Sequence, residues 1–323
     1  MPSRPQPRWP TPRSGCCTPV APRVPRSRST AEPPWPATAP RRTNTRHPAT
    51  QETTLTLKQA LNVPNVGNAD AIVELAVQAE AAGWDGFFVW DTLQTEAATP
   101  VDVLDPAAVL AAIAVSTSRI ALGPMVIALP RRRPWKVAKE IITIDHLAGG
   151  RVIAGFGLGA PPKEEFADFG EPTDLRARAE LLDEGLAIID AMFAGQKLDH
   201  DGPAYRVHAH LSPRGFQRPR PPIWVASIGT NRGPVARARR WDGVFTLTED
   251  FQGLTPGDVH AWRDRVGRED SYVITTTARA GIRSRDLEAA GLNWRVSEPP
   301  HLHNDWITDL RPLVLAGPDA SDF

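Results

Sequence analysis

Six short stretches carry residue types that chemistry needs. Gly155, Gly157 and Gly159 occupy alternate positions in Gly155-Phe156-Gly157-Leu158-Gly159. Glycines at every second position strip one face of a strand, so a flat ring or a phosphate can approach the backbone. Close packing at the mouth of a barrel would make the same demand. Ser227-Ile228-Gly229-Thr230-Asn231 is a small polar loop that leads into a helical pattern. Helix openings present free N–H groups and a positive dipole end to anions, although Asn231 would also serve as an ordinary cap. Asp91-Thr92 follows the apolar run Gly86–Trp90, which puts a carboxylate just past a buried strand. Arg131-Arg132-Arg133 could attract an anionic group or form a solvated charge run. His208-x-His210 and His301-x-His303 have chelating spacing, but a metal site needs further ligands from other strand ends, and the first pair reads as part of a surface hairpin. No G-x-S-x-G elbow and no Walker loop is present.

Elements that could position these residues alternate along the chain. Strand-like runs occur at Leu57–Val63, Gly86–Trp90, Arg119–Gly123, Val152–Gly157, Pro222–Ala226, Asp242–Leu247, Tyr272–Thr277 and Asn293–Val296. Between them lie helical patterns with starts and stops. Asn68 caps Ala69–Ala82 and Gly83 ends it; Asp105-Pro106 and Pro134 open two more. Thr173 caps Asp174–Phe193, and Asn231, Thr255, Ser284 and Asn304 cap the rest. Eight strand–helix units over about 270 residues predict a parallel (β/α)8 barrel, with the long insertion before strand five. Several strands are apolar throughout, as strands buried on both faces should be. No G-x-G-x-x-G follows the first strand, which opposes a dinucleotide-binding sheet. Barrels of this kind place chemistry in the loops at the C-terminal strand ends. The loops that hold Asn65, Asp91-Thr92, Met125-Val126, Gly155–Gly159 and Ser227–Asn231 are all of that type.

Composition narrows the class. Among 323 residues, 37 basic and 37 acidic side chains cancel, and no overall field invites nucleic acid or an acidic membrane. The balance is uneven, however. Residues 1–52 contain nine arginines, no lysine and only Glu32 and Glu52 as acids, a charge of +7 against −7 for the remainder. This Pro- and Arg-rich stretch has almost no Ile, Leu or Phe, so we expect a disordered extension ahead of a barrel domain at residues 53–323. Cys16 and Cys17 are adjacent and the only cysteines, which excludes a disulfide framework and predicts a reducing, cytoplasmic setting.

Longer stretches carry a resemblance. Gly83-Trp84-Asp85-Gly86-Phe87-Phe88-Val89-Trp90-Asp91, Arg119-Ile120-Ala121-Leu122-Gly123-Pro124-Met125-Val126 and Asp145-His146-Leu147-Ala148-Gly149-Gly150-Arg151-Val152 stand in order, followed by the glycine triplet. Pro222-Ile223-Trp224-Val225-Ala226 and Ala238-Arg239-Arg240-Trp241-Asp242-Gly243 continue the series. Together they resemble the luciferase-like monooxygenase family over roughly Leu55 to Phe245. The resemblance implies a flavin-dependent oxidoreductase, most simply a monooxygenase using reduced FMN and oxygen on a small organic substrate. The alternatives are a dehydrogenase or reductase using the deazaflavin coenzyme F-420, and a flavin-binding barrel without catalysis. A metal-dependent barrel hydrolase ranks third. Carried over position by position, the ring would lie against Asp91, Thr92, Met125 and Val126, where relatives often hold a non-proline cis bond. The phosphate would lie near Gly155, Gly157, Gly159 and Ser227, Ile228, Gly229, Thr230, Asn231, and Asn65 joins the cofactor-binding set. A separate flavin reductase and a homo-oligomer are partners the resemblance admits.

Two departures stand out. Thr92 occupies a position where many relatives carry His, and Thr cannot titrate near neutral pH, so the catalytic acid/base is left unassigned. The Ala278–Gly291 stretch leaves room for only about two helical turns, so a short seventh unit is expected.

Overall fold

The computed structural model describes residues 57–95, 101–267, 273–277, 279–299, 303 and 305–318. The expected N-terminal extension and His301 lie outside the described residues. The strands are β1 (Lys58–Val63), β2 (Gly86–Val89), β3 (Ala121–Pro124), β4 (Ile127–Ala128), β5 (Ala154–Gly157), β6 (Lys197–Asp201), β7 (Arg206–His210), β8 (Ile223–Ile228), β9 (Gly243–Leu247), β10 (Val273–Thr277) and β11 (Trp294–Ser297).

Nine of these strands form one sheet in the order β3-β2-β1-β11-β10-β9-β8-β5-β4, and its strand pairs are parallel. β3 and β4 are two halves of one strand position, separated by Met125 and Val126. Ile153 N donates to Leu122 O at 2.9 Å, and Leu122 N to Arg151 O at 3.2 Å. β3 therefore reaches the chain entering β5, and the sheet closes into a barrel of eight strand positions, as the alternation predicted. Each expected strand lies within two residues of its place. The remaining pair, β6 and β7, is an antiparallel hairpin in the insertion before the fifth barrel strand, β8.

The helices are α1 (Ala69–Ala82), α2 (Pro106–Ser116), α3 (Pro134–Leu147), α4 (Pro162–Glu165), α5 (Leu175–Phe193), α6 (Arg232–Ala238), α7 (Pro256–Val266), α8 (Ser284–Ala289) and α9 (Trp306–Ala316). Asn68 accepts from Ala71 N at 3.0 Å, and Gly83 ends α1 at φ 94°. Thr255 and Asp258 form a reciprocal capping box. Two caps differ from expectation. Asp174 rather than Thr173 caps α5, because its carboxylate reaches Ala177 N at 2.8 Å. Ser284 is the first helical residue of α8 rather than its cap; its hydroxyl accepts instead from the buried Arg295 at 2.6 Å. Asn304 lies outside the described residues, and Asp305 takes the cap position of α9. The seventh unit is short, as expected, with six residues in α8.

Side chains alternate along each strand, so Ala60, Phe88, Trp224, Trp294 and Val296 share the barrel interior. Phe88, Trp224 and Trp294 meet with centroids 5.6–5.9 Å apart, two of the contacts edge-to-face. Each such pair adds about 0.5–1.5 kcal/mol to burial. The last helix seals the ring against the first: Trp84 Nε1 donates to Val314 O and Trp306 Nε1 to Val66 O.

Candidate active site

The C-terminal strand ends surround a cavity of ≈ 230 Å3 whose lining includes Asn62, Trp90, Met125, Val126, Phe245 and Glu298. Its floor is the break between β3 and β4, where the Met125–Val126 peptide is cis. The glycine triplet makes this floor possible. A Cβ on Gly155 would lie 2.5 Å from Pro124 O, and one on Gly157 would lie 2.7 Å from Val126 Cγ2. Gly159, at φ 78°, has Ala128 and Phe166 as close. The bare face of β5 is thus occupied by strand three. Gly155 and Gly157 set the height of Val126, which is partly exposed, while Gly159 itself lines the cavity.

One wall is a buried ion network. Asp91 Oδ2 accepts from Ala128 N at 3.1 Å, and Oδ1 accepts from Arg132 Nη1 at 2.8 Å. Arg131 Nη2 lies 3.3 Å from Asp91 Oδ2 and 2.8 Å from Glu165 Oε2, and it also donates to the Asp91 carbonyl. Arg132 reaches on to Glu140 at 2.9 Å. Burial pushes the Asp91 and Glu165 carboxyls up, and the guanidiniums offset part of that rise. Arg131 and Arg132 are therefore neither a solvated run nor a free anion trap; only Arg133 is exposed. Asn65 is fully buried. It accepts from Thr92 N and donates to the carbonyls of Thr92 and Leu104, so it fixes the strand-two loop from below. Thr92 lines both this cavity and an adjoining one of ≈ 460 Å3, where Leu93, Val103, Leu104 and Phe169 supply apolar surface.

The end of β8 lies beside the end of β5, with Ala154, Gly155 and Phe156 paired to Ile223, Trp224 and Val225. Two expected donors there are already engaged. Ser227 Oγ donates to Gly229 O at 3.0 Å, and Gly229 N donates to Leu247 O at 2.8 Å. Asn231 makes no side-chain cap bond, and Ile228 is exposed. None of the residues Ser227 to Asn231 belongs to the lining of the mouth cavity, and Thr230 lines a separate one with Arg232 and Arg265.

Sequence reasoning missed Asn62 and Glu298. Asn62 Nδ2 donates to Glu298 Oε1 at 2.6 Å. Asn62 Oδ1 is buried without a hydrogen-bond partner among the described residues. Burial pushes the Glu298 carboxyl up to about 7, and the Asn62 bond only partly offsets it. The signal was available: Trp294, Val296 and Glu298 continue one inward-facing alternation, as do Ala60 and Asn62. Of the histidine motifs, His208, His210 and His303 are not in the lining of either cavity. His208 pairs with Asp199 on the hairpin, and His210 Nε2 lies 3.2 Å from Gly195 O. Among the described residues no group of three or more His, Cys, Asp or Glu could hold a metal ion.

This geometry suits a planar heteroaromatic ring. Met125, Val126 and Phe245 offer apolar faces, and the orphan Asn62 oxygen offers one edge an acceptor. The luciferase-like monooxygenase family model matches residues 44–285, and the chain belongs to this family. The F-420-dependent glucose-6-phosphate dehydrogenase of Beutenbergia cavernae is 35% identical over 180 residues, 54% of this chain and 51% of that protein. The 4-hydroxyprotoasukamycin monooxygenase of Streptomyces nodosus is 34% identical over 95 residues, 29% of this chain and 25% of that protein. The chain thus spans about half or less of the length of these two curated relatives. The coenzyme F-420-dependent tetrahydromethanopterin reductase of Methanopyrus kandleri shares the fold at TM-score 0.63 and 17% identity, covering 79% of this chain and 97% of that one. A monooxygenase from Streptomyces bottropensis does so at TM-score 0.63 and 20% identity, covering 80% and 98%.

Proposed function

We propose that this chain is an oxidoreductase that seats the ring of reduced FMN in the barrel mouth and oxygenates a small organic substrate. The cavity floored by Met125 and Val126, with its unpartnered Asn62 acceptor, carries this reading. Met125, Val126 and Phe245 would pack on the ring, and Asn62 Oδ1 would accept from a ring N–H. Thr230 and Asn231 would face the phosphate. When bound, the flavin supplies the electrons and activates oxygen. The chain's contribution is to orient the ring, exclude water and present the adjoining cavity beside Thr92 to the substrate. A separate flavin reductase would supply the reduced cofactor. Among the described residues no helix is long and apolar enough to cross a membrane.

A second reading, hydride transfer with coenzyme F-420, is favoured by Glu298, which gives the mouth a titratable group where Thr92 gives none. Spectral titration with FMN and with F-420 tests the seat. A perturbed spectrum is expected with one of them, and none with either would defeat both readings. Oxygen uptake with reduced FMN, against cofactor reduction by a substrate panel, then separates the two chemistries.

A further inference from the structure

We propose that Glu298 is the proton-transfer residue of the barrel mouth, exchanging a proton with an oxygen or nitrogen atom of the molecule bound over Met125 and Val126. The inference rests on the reading that a ligand occupies this cavity. Three observations carry it.

Glu298 lines the cavity directly, at the end of β11, the last barrel strand. It faces inward by alternation from Trp294 and Val296, with Asn62 of neighbouring β1 bonded to Oε1 at 2.6 Å. Other carboxylates in the same lining are already committed: Asp91 to Arg131, Arg132 and Ala128 N, and Glu165 to Arg131 and Leu93 N. Among the described residues no cation belongs to this cavity's lining, and no ion pair reaches Glu298. Glu298 bonds to the neutral Asn62 of β1, and the other titratable groups of the same lining are Asp91 after β2 and Glu165 of α4. A carboxyl so placed is pushed up to about 7 by its burial, which leaves both protonation states populated at neutral pH.

The exchange is a proton transfer alone. The acid form gives its proton to the ligand atom and becomes a carboxylate, which keeps the Asn62 N–H bond. In the reverse direction the carboxylate takes a ligand proton. No electrons move in this exchange.

Protein labelled with carbon-13 at glutamate carboxyls, without cofactor, should show one resonance titrating near neutrality that is absent in Glu298→Gln. Asn62→Leu should move that midpoint higher, because the lost N–H bond stabilised the anion. In turnover, Glu298→Gln should lower kcat by about 10²–10⁴-fold and abolish the matching limb of the pH profile. Glu298→Asp should retain the limb at reduced rate, and circular dichroism melting would confirm that the variants fold. A Glu298 resonance titrating below about 6, or an unchanged pH profile in Glu298→Gln, would overturn the proposal. If neither cofactor binds, the ring reading fails by itself, and the carboxyl titration still decides for or against Glu298.

Discussion

The two ends of the barrel treat polar groups in opposite ways. At the N-terminal strand ends, polar side chains serve the backbone and are filled by it. Glu80 accepts from the N–H groups of Ser118, Arg119 and Ile120. Burial alone would raise its carboxyl, but these backbone bonds hold it at about 2. Arg151 donates to the carbonyls of Ala114, Thr117, Ile120 and Ala148 and to the Thr117 hydroxyl. Asp145 accepts from Phe216 N, Gln217 N and Gln217 Nε2, and Asp85 accepts from Gln59 N. At the mouth, burial raises Asp91, Glu165 and Glu298, while Asn62 Oδ1 and Arg131 Nε have no hydrogen-bond partner among the described residues. Native structures rarely leave buried polar atoms unpaired, so the open Asn62 Oδ1 in the cavity lining points to a partner from outside. At the lower end Glu80, Asp145 and Arg151 are satisfied from within the chain, whereas at the upper end Asn62 keeps an acceptor open to the cavity.

Substitution should separate the ends. Arg151→Met strands several carbonyls at once and should cost about 3–5 kcal/mol in urea unfolding. Below its unfolding transition it should bind the ring cofactor as tightly as the parent. A loss of affinity as large as the loss of stability would erase the distinction between scaffold and site. Asp91→Ala tests the border between the two, since Asp91 lines the cavity yet spends its oxygens on Ala128 N and two arginines. We expect about 3 kcal/mol of destabilisation from the uncompensated guanidiniums, together with weakened cofactor binding as Ala128 and Val126 shift. Weakened binding with no change in the unfolding midpoint would instead make Asp91 a direct ligand.

Much of the scaffold was legible in the sequence, and the contrast between the ends explains why. Gly83, Trp84, Asp85, Arg119, Asp145 and Arg151 lie in the long motifs, and all serve the lower end or the helix seams. Strand ranges followed from apolar runs, and most caps from local residue types. The site was less legible because its residues act across strands. Asn62 and Glu298 are 236 positions apart and belong to no motif, so only closure of β11 onto β1 brings them together. The glycine triplet was visible, but the strand crossing that fills its bare face depends on the break after Pro124. Arg131 and Arg132 look like a solvated run because their partners, Asp91 and Glu165, come from separate loops.

The smallest expected effect is also a test of sign. Glu80 has a folded pKa of about 2 against an ordinary 4.5, so the unfolded chain binds the extra proton between those values. Its contribution is present above pH 4.5 and is lost as pH falls toward 2. Glu298 has a folded pKa of about 7 against the same 4.5, so here the folded chain binds the extra proton. Its contribution is greatest below pH 4.5 and is lost as pH rises to about 7. Solvent screening reduces each limb, to about 1 kcal/mol for the partly exposed Glu80 and about 2 kcal/mol for Glu298. Urea midpoints measured across both windows should therefore slope in opposite directions. Glu80→Gln should flatten only the acidic limb, and Glu298→Gln only the limb below neutrality. If Glu298→Gln left that limb intact, the raised carboxyl would lie elsewhere, and Asp91 or Glu165 would be the first to replace next. If both limbs sloped the same way, the mouth would be as well satisfied as the lower end, and the comparison would fail at its strongest residue.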